Sequence, residues 1–150
     1  MGDISVSLSK PLPIFPYHRD PTASGSIESS DVPCACCSQL TGFRYTGNVY
    51  ALKEVEHLCP WCIADGSAAK KFNATFIDGH FCDDQFNYIE LSTELYNAVF
   101  SRTIGFATYN PIAWWSHCGQ PAEYITRHEP YDLVFQCRVC GREHVVPDYD

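Results

Sequence analysis

Short alternations of apolar and polar residues predict β-structure in the first half of the chain. Phe43 and Tyr45 alternate with polar neighbours, residues 46–48 are typical of a turn, and residues 49–52 are again apolar. This pattern predicts a β-hairpin within residues 38–58. Further apolar runs at 124–125, 133–135 and 145–146 predict strands of a second hairpin within residues 115–148.

The middle of the chain, residues 66–103, has helical spacing instead. Ala68, Phe72 and Phe76 are each four residues apart, which predicts one helix with an apolar stripe. A second helix is predicted to begin after Ser92. The acidic stretch at 77–90 between them is expected to be a solvated loop. The fold class is therefore predicted to be α+β, with short hairpins and two central helices.

Residues 1–33 are predicted to form an extended, proline-rich arm. Three prolines between residues 11 and 16 exclude a helix, because proline lacks the amide proton and restricts the preceding residue. The apolar residues between these prolines indicate that the arm packs on the rest of the protein. Residues 34–150 are expected to form one compact domain. The sequence His18-Arg19-Asp20 at the end of the proline-rich run is interpreted as a polar loop.

Two CxxC pairs surround the first predicted hairpin. Cys34 and Cys37 form one pair, Cys59 and Cys62 form the other, and 21 residues separate them. Two such turns facing each other supply four thiolates at the corners of a tetrahedron, the arrangement that Zn²⁺ prefers. We therefore predict a closed zinc site of these four cysteines, within a zinc ribbon at residues 34–62.

A second cluster near the C-terminus has three cysteines and an open question about its fourth ligand. Eighteen residues separate Cys118 from the pair Cys137 and Cys140. His117 is adjacent to Cys118, His144 would give a CxxC-x₃-H arrangement, and Ala122 lies where a CxxxC pair would have its second thiol. The predicted ligands are His117, Cys118, Cys137 and Cys140, for a second Zn²⁺ in a ribbon-like hairpin.

Composition narrows the functional classes. The formal charge is −8, with 18 acidic and 10 basic side chains, and phosphate binding depends on Lys and Arg, so nucleic acid is not the expected partner. A protein partner is expected. The absence of a long apolar run argues against membrane insertion, and the N-terminus does not resemble a secretory signal. Cytoplasmic location is therefore expected, where cysteine pairs hold metal rather than form disulfides. The sequence leaves the oligomeric state open.

Two chemical alternatives to a structural zinc protein remain open. If only three protein ligands held the second zinc, a bound water would occupy the fourth position, as in metal-dependent hydrolases and nucleases. The pair Cys59 and Cys62 at a helix start also resembles a redox pair, although a metal-bound thiolate is not free to attack disulfides. The remaining cysteines, Cys36 and Cys82, are expected to be small core residues. No catalytic residues are predicted.

Several blocks of the sequence resemble the CbrC family, which is named for colicin tolerance. The resemblance lies in residues 12–18, the pair Cys34 and Cys37, the block at 58–72, residues 102–106, and the cysteines of the second cluster with Trp115. It covers nearly the whole chain, and the block at 58–72 is the most specific part. The resemblance implies a small bacterial protein with a link to colicin or stress tolerance, which is a phenotype and not a chemistry.

Overall fold

The computed structural model describes residues 11–148 as a small α+β protein with short helices and several small sheets. The elements in chain order are β1 (Ile27–Ser29), β2 (Phe43–Tyr45), α1 (Pro60–Ala64), α2 (Ser67–Phe72), β3 (Gly79–Cys82), α3 (Thr93–Tyr96), a π-helical turn (Asn97–Ser101), β4 (Ile112–His117), β5 (Gln120–Pro121), β6 (Glu123–His128), β7 (Asp132–Gln136) and β8 (Glu143–Pro147). Residues 1–10 of the predicted arm and residues 149–150 of the predicted domain lie outside this part of the chain.

The hairpin predicted within residues 38–58 is wrong in its pairing. β2 pairs antiparallel with β1 of the arm, and Ile27 lies opposite Tyr45. The expected return strand contributes a single bridge from Tyr50 to Thr75. Burial explains the difference, because Ile27 and Tyr45 both enter the core whereas Leu52 is fully exposed. The arm therefore supplies the strand that the local sequence was expected to supply.

The single helix predicted from Ala68, Phe72 and Phe76 is also wrong in its bounds. The chain forms two short helices, α1 and α2, separated at Gly66, whose φ of +86° leaves the helical region. Asn73 is left-handed as well, with φ +50°, and ends α2. Phe76 is buried, but it reaches the core from the segment that follows the helix.

The second predicted helix begins where expected, and the region between the helices is not a loop throughout. The Ser92 hydroxyl accepts a hydrogen bond from the amide of Leu95 at 3.2 Å, which caps α3. α3 continues into the π-helical turn, which brings Val99 and Phe100 into the core. Within the predicted loop, β3 lies parallel to β4, and its residues Phe81 and Cys82 are buried.

The C-terminal strands agree with the prediction. β6, β7 and β8 form an antiparallel sheet in which β7 is central. β4 and β5 form a short hairpin next to it in the sequence, with His117 opposite Gln120. No helix within residues 11–148 has the length and apolar character needed to cross a lipid bilayer.

Two groups of buried side chains form the core, and each contains part of one cysteine cluster. The first is built from the N-terminal half and includes Phe15, Tyr45, Leu58, Ile63 and Phe76. Cys34, Cys59 and Cys62 belong to it. The second is aromatic and C-terminal, with Phe100, Trp114, Trp115 and Phe135 at its centre, and it includes Cys137.

Candidate metal centres

Cys34, Cys37, Cys59 and Cys62 lie together as the first centre. Their sulfurs are all within 4.8 Å of one another, and three of the four side chains are buried. The Sγ atoms of Cys34 and Cys62 are 3.9 Å apart. Two sulfurs bound tetrahedrally at about 2.3 Å from an ion would be about 3.8 Å apart. All of these cysteines are free thiols in the structure, so the group could hold a metal ion.

Backbone amides converge on the sulfur of Cys34. The amides of Cys36 and Cys59 each donate to Cys34 Sγ at 3.3 Å. Burial raises the pKa of this thiol, but the amide hydrogen bonds from Cys37, Cys59 and Cys36 outweigh it and lower the pKa to about 7. The pKa of Cys59 shifts in the opposite direction, because burial raises it to about 11. Amide hydrogen bonds thus favour the thiolate at Cys34, whereas burial favours the protonated thiol at Cys59.

The second centre brings together His117, Cys118, Cys137 and Cys140. One ligand atom from each lies within 4.8 Å of the others. His117 Nδ1 is 3.3 Å from the sulfur of Cys118 and 3.4 Å from that of Cys140. Cys137 is buried, whereas Cys118 and Cys140 are exposed. This centre could also hold a metal ion, at the surface rather than in the interior.

Adjacent residues can both reach the second centre because of the turn between β4 and β5. Cys118 and Gly119 form a two-residue turn in which both have positive φ, +56° and +74°. Positive φ at both central positions is the pattern of a type I′ hairpin turn. This turn folds the Cys118 side chain back towards the His117 ring. The ligand atoms of two adjacent residues, His117 and Cys118, therefore point to the same site.

One cysteine turn is built in the same way in both centres. The amide of Cys34 donates to the carbonyl of Gln39, and the amide of Ser38 donates to the carbonyl of Cys34. The amide of Cys137 donates to Arg142, and that of Gly141 donates to Cys137, at the same offsets. The fifth residue has positive φ in both turns, +64° at Ser38 and +82° at Gly141. Each turn points two thiols to one side.

His144, the alternative ligand, lies outside the second centre. Its ring stacks on Trp115, with centroids 4.8 Å apart and planes 24° apart. Trp115 also stacks with His117, at 5.1 Å. Ala122, the other alternative position, is fully buried.

Side chains that the sequence did not single out surround the second centre. Asp84 accepts hydrogen bonds from Trp115 Nε1 at 2.9 Å and pairs with Arg142 at 2.9 Å. These contacts, with the Trp115 hydrogen bond the largest, lower the pKa of Asp84. Arg142 also lies 3.3 Å from His117 Nε2. The sequence placed Asp84 in a solvated loop, and no spacing pattern connects it to residues more than thirty positions away.

Thiol ionisation in the second centre follows the same rule as in the first. Burial raises the pKa of Cys137, but the amides of Cys140 and Val139 and the His117 side chain outweigh it and lower the pKa to about 6. The pKa of Cys118 is raised to about 11, by burial of its sulfur and by hydrogen bonding with Cys137 and Cys140. A divalent cation would displace the remaining thiol protons, so metal binding is expected to release protons.

His18 is a core residue and not the polar loop residue predicted from the sequence. Its side chain is almost fully buried, and Nδ1 lies 2.8 Å from the carbonyl oxygen of Ile104. Nε2 lies 2.9 Å from the Ser24 hydroxyl. Because a carbonyl only accepts, Nδ1 carries the proton and Nε2 accepts from Ser24. Cys82 is fully buried, as predicted, and Cys36 is half-buried next to the first centre without belonging to it.

Burial should make His18 a source of acid sensitivity. Desolvation lowers its pKa from 6.5 to about 4, so the unfolded chain binds a proton before the folded one does. Burial of neutral His18 therefore costs no stability above pH 6.5, and the free energy of unfolding falls as the pH drops from 6.5 towards about 4. The total loss is about 3 kcal/mol, since each pKa unit corresponds to about 1.4 kcal/mol. Unfolding free energy measured from pH 7 to 4 should fall more steeply in the native chain than in His18→Gln. Equal slopes would contradict the prediction.

Comparisons with known proteins place the chain among bacterial relatives. A family model described as "Uncharacterised protein family (UPF0167)" matches residues 12–134. UPF0167 proteins of Mycobacterium bovis and Mycobacterium tuberculosis are each 41% identical over 120 residues, covering 79% of this chain and 62% of theirs. A UPF0167 protein of Pseudomonas aeruginosa is 42% identical over 113 residues, covering 74% of this chain and 61% of its own.

This chain belongs to the UPF0167 family. It spans less than two thirds of the length of these curated relatives. No solved structure matches it.

Proposed function

We propose that this member of the UPF0167 family is a structural two-zinc protein that acts by binding a protein partner. The observation that carries the proposal is the presence of two groups of four ligand atoms, each group within 4.8 Å. One group is Cys₄ and the other is HisCys₃. Thiolate-rich sets with one imidazole are those that structural zinc sites use. The proposal includes a cytoplasmic location, where thiols stay reduced and available to metal.

Four protein ligands at each centre favour a structural role over a catalytic one. A catalytic zinc keeps a position open for water or substrate, whereas a structural zinc is closed by four protein ligands. In the second centre, His117 is the fourth protein ligand in this proposal. Without it, three cysteines would leave one coordination position for water. The resemblance to the CbrC family, and the tolerance phenotype in its name, extend the proposal to a role in colicin or stress tolerance.

X-ray absorption at the zinc edge of the purified chain tests this coordination. Averaged over two centres, Cys₄ and HisCys₃ ligation predicts about 3.5 sulfurs and 0.5 nitrogen per zinc, with Zn–S near 2.3 Å. Histidine 117 is the only nitrogen ligand in this assignment, so His117→Ala should remove the nitrogen contribution, while His144→Ala should leave the spectrum unchanged. A first shell with more oxygen or nitrogen than this, in the native chain, would contradict closed coordination.

The acidic surface supports a protein partner rather than nucleic acid. The chain carries a charge of −8, and five of the six arginines in the described residues 11–148 already contact a carboxylate or an aromatic ring. Few basic side chains therefore remain to neutralise phosphates. Titration with single- and double-stranded oligonucleotides at low salt should give no binding. Saturable binding that weakens as salt is added would contradict the proposal of a protein partner and indicate a nucleic-acid partner instead.

The second candidate function is a metal-dependent hydrolase or nuclease at the second centre. The exposure of Cys118 and Cys140 favours it, because substrate could approach a metal there. It requires one ligand, such as His117, to leave and admit water. It predicts hydrolysis of a phosphodiester or ester substrate by the zinc-loaded chain, and loss of that activity in Cys137→Ala while the fold survives. The closed-site proposal predicts no such activity.

A further inference from the structure

A polar cleft of about 570 Å³ lies between α2 and the helical segment formed by α3 and the π-helical turn. Lys70 and Arg102 line it, together with Glu94, Tyr50, Tyr96 and Asn73. None of the eight ligand residues of the two metal centres lines this cleft. Its volume is in the range of pockets that hold small organic molecules. The cleft is therefore a site separate from the metal centres.

Arg102 differs from the other arginines of the described chain. Arg19, Arg44, Arg127 and Arg142 each pair with a carboxylate, and Arg138 lies over the ring of Tyr17. Within residues 11–148, Arg102 has neither a carboxylate nor a ring partner. Lys70 likewise has no side-chain partner in this range. Lys53 also lacks such a partner among residues 11–148, but it does not line the cleft. In an acidic chain with a charge of −8, Arg102 and Lys70 are thus two cations without a carboxylate partner that line the same cleft.

The stem of Arg102 is held against the backbone at Gly66. A Cβ atom on Gly66 would stand 3.1 Å from Arg102 Cδ and 3.6 Å from Cγ. The absence of a side chain at Gly66, together with its φ of +86°, lets the arginine pass close to the turn between α1 and α2. The stem of Arg102 therefore lies against this turn, at the wall of the cleft, and the side chain is exposed.

The charges of the cleft define the class of ligand. We propose that the cleft binds a small phosphate monoester, whose phosphate pairs with Arg102 and Lys70 and whose hydroxyl or amino groups donate to Glu94. A phosphate monoester carries a charge of about −1.5 to −2 at pH 7, which two cations match. Arginine offers paired donors that fit phosphate oxygens. Glu94 would repel an anion alone, so the ligand must present hydrogen-bond donors at its other end.

The half-exposed rings of Tyr50 and Tyr96 offer flat surfaces at the same cleft. A sugar phosphate and a nucleoside monophosphate share the phosphate and the hydroxyl donors. They differ in the planar base, which a tyrosine ring can stack against. The two sources can therefore be distinguished by comparing a ligand with a base to one without.

Ligand titrations of the zinc-loaded chain, followed by amide chemical shifts, test the proposal. The probes are ribose 5-phosphate, adenosine monophosphate, ribose and inorganic phosphate. We expect one or both phosphate esters to bind with a Kd of about 1 mM or tighter, in the range of metabolite sites, with shifts at Ala69, Asn73 and Thr75. Tighter binding of adenosine monophosphate than of ribose 5-phosphate would indicate a nucleotide site. Equal affinity for the two esters would indicate a sugar-phosphate site.

Two variants separate the cleft from non-specific charge effects. Arg102→Gln should weaken phosphate-ester binding at least about tenfold, because a charge-assisted pair is lost. Lys53→Gln removes an exposed cation outside the cleft and should leave the affinity unchanged. The proposal is overturned by no shifts with either ester, by equal binding in Arg102→Gln, or by inorganic phosphate binding as tightly as the esters. None of these results depends on the function of the metal centres.

Discussion

Replacing Cys59 by serine should release one zinc ion and unfold the N-terminal half of the protein. Cys59 is buried and belongs to the same core group as Phe15, Leu58 and Ile63. Zinc binding to a structural site contributes on the order of 10 kcal/mol to folding, which is comparable with the whole stability of a typical domain. The change should be visible as loss of the cooperative thermal transition and of one zinc per chain.

Serine is an informative replacement at this position, because Cys59 is the N-cap of α1. Serine is a favourable N-cap residue, so the helix start should not suffer from the substitution itself. Cys36→Ser is the matched control, since Cys36 lies between Cys34 and Cys37, next to the same centre, but outside the group of four. It should keep both zinc ions and its thermal transition. A folded, fully zinc-loaded Cys59→Ser protein would contradict the assignment of the first centre.

Replacing Cys137 by serine should remove the second zinc and leave the first in place. Cys137 is the buried ligand of that centre, and its sulfur accepts the amides of Val139 and Cys140 at 3.4 and 3.5 Å. We expect zinc to fall from two to one per chain and the unfolding free energy to drop by on the order of 4–5 kcal/mol. The effect is smaller than at the first centre, because Cys118 and Cys140 are exposed and Trp114, Phe100 and Phe135 pack without the metal.

His144→Gln is the control for this second prediction. His144 stacks on Trp115 but lies outside the group of four, so this variant should retain two zinc ions. Zinc loss in His144→Gln together with zinc retention in His117→Gln would reverse the assignment of the nitrogen ligand. Retention of two zinc ions in Cys137→Ser would contradict the assignment of a zinc ion to the second centre.

The cysteine clusters were accessible from the sequence because their geometry is mostly local. The CxxC turns at Cys34 and Cys137 are fixed by hydrogen bonds between residues four or five positions apart, such as those that link Cys34 to Ser38 and Gln39. The spacing between the two pairs is then enough to predict which four thiols meet. The His117 ligand was harder to predict, since its role depends on positive φ at Cys118 and Gly119, which composition alone does not specify.

The strand partners were not accessible, because burial between distant segments decides them. The strand that contains Tyr45 could pair with the segment before it or with the segment after it. It pairs with Ile27 of the N-terminal arm, and Leu52 of the later segment is exposed. The parallel pairing of β3 with β4 likewise joins Phe81 to Trp114, thirty-three positions later. The same holds for His18, whose buried partner is the carbonyl of Ile104. Periodicity shows which residues face inward but not what they face.

The central claim is that both cysteine clusters hold zinc. Elemental analysis of zinc per chain, on protein purified without chelator, tests it most directly when the reactive thiols of the same sample are counted. The account predicts two zinc ions, with the seven ligand cysteines protected from reagent until the protein is denatured or the metal removed. One zinc ion with Cys118, Cys137 and Cys140 reactive would contradict the second centre. No zinc with protected cysteines would contradict the whole account and indicate disulfides instead.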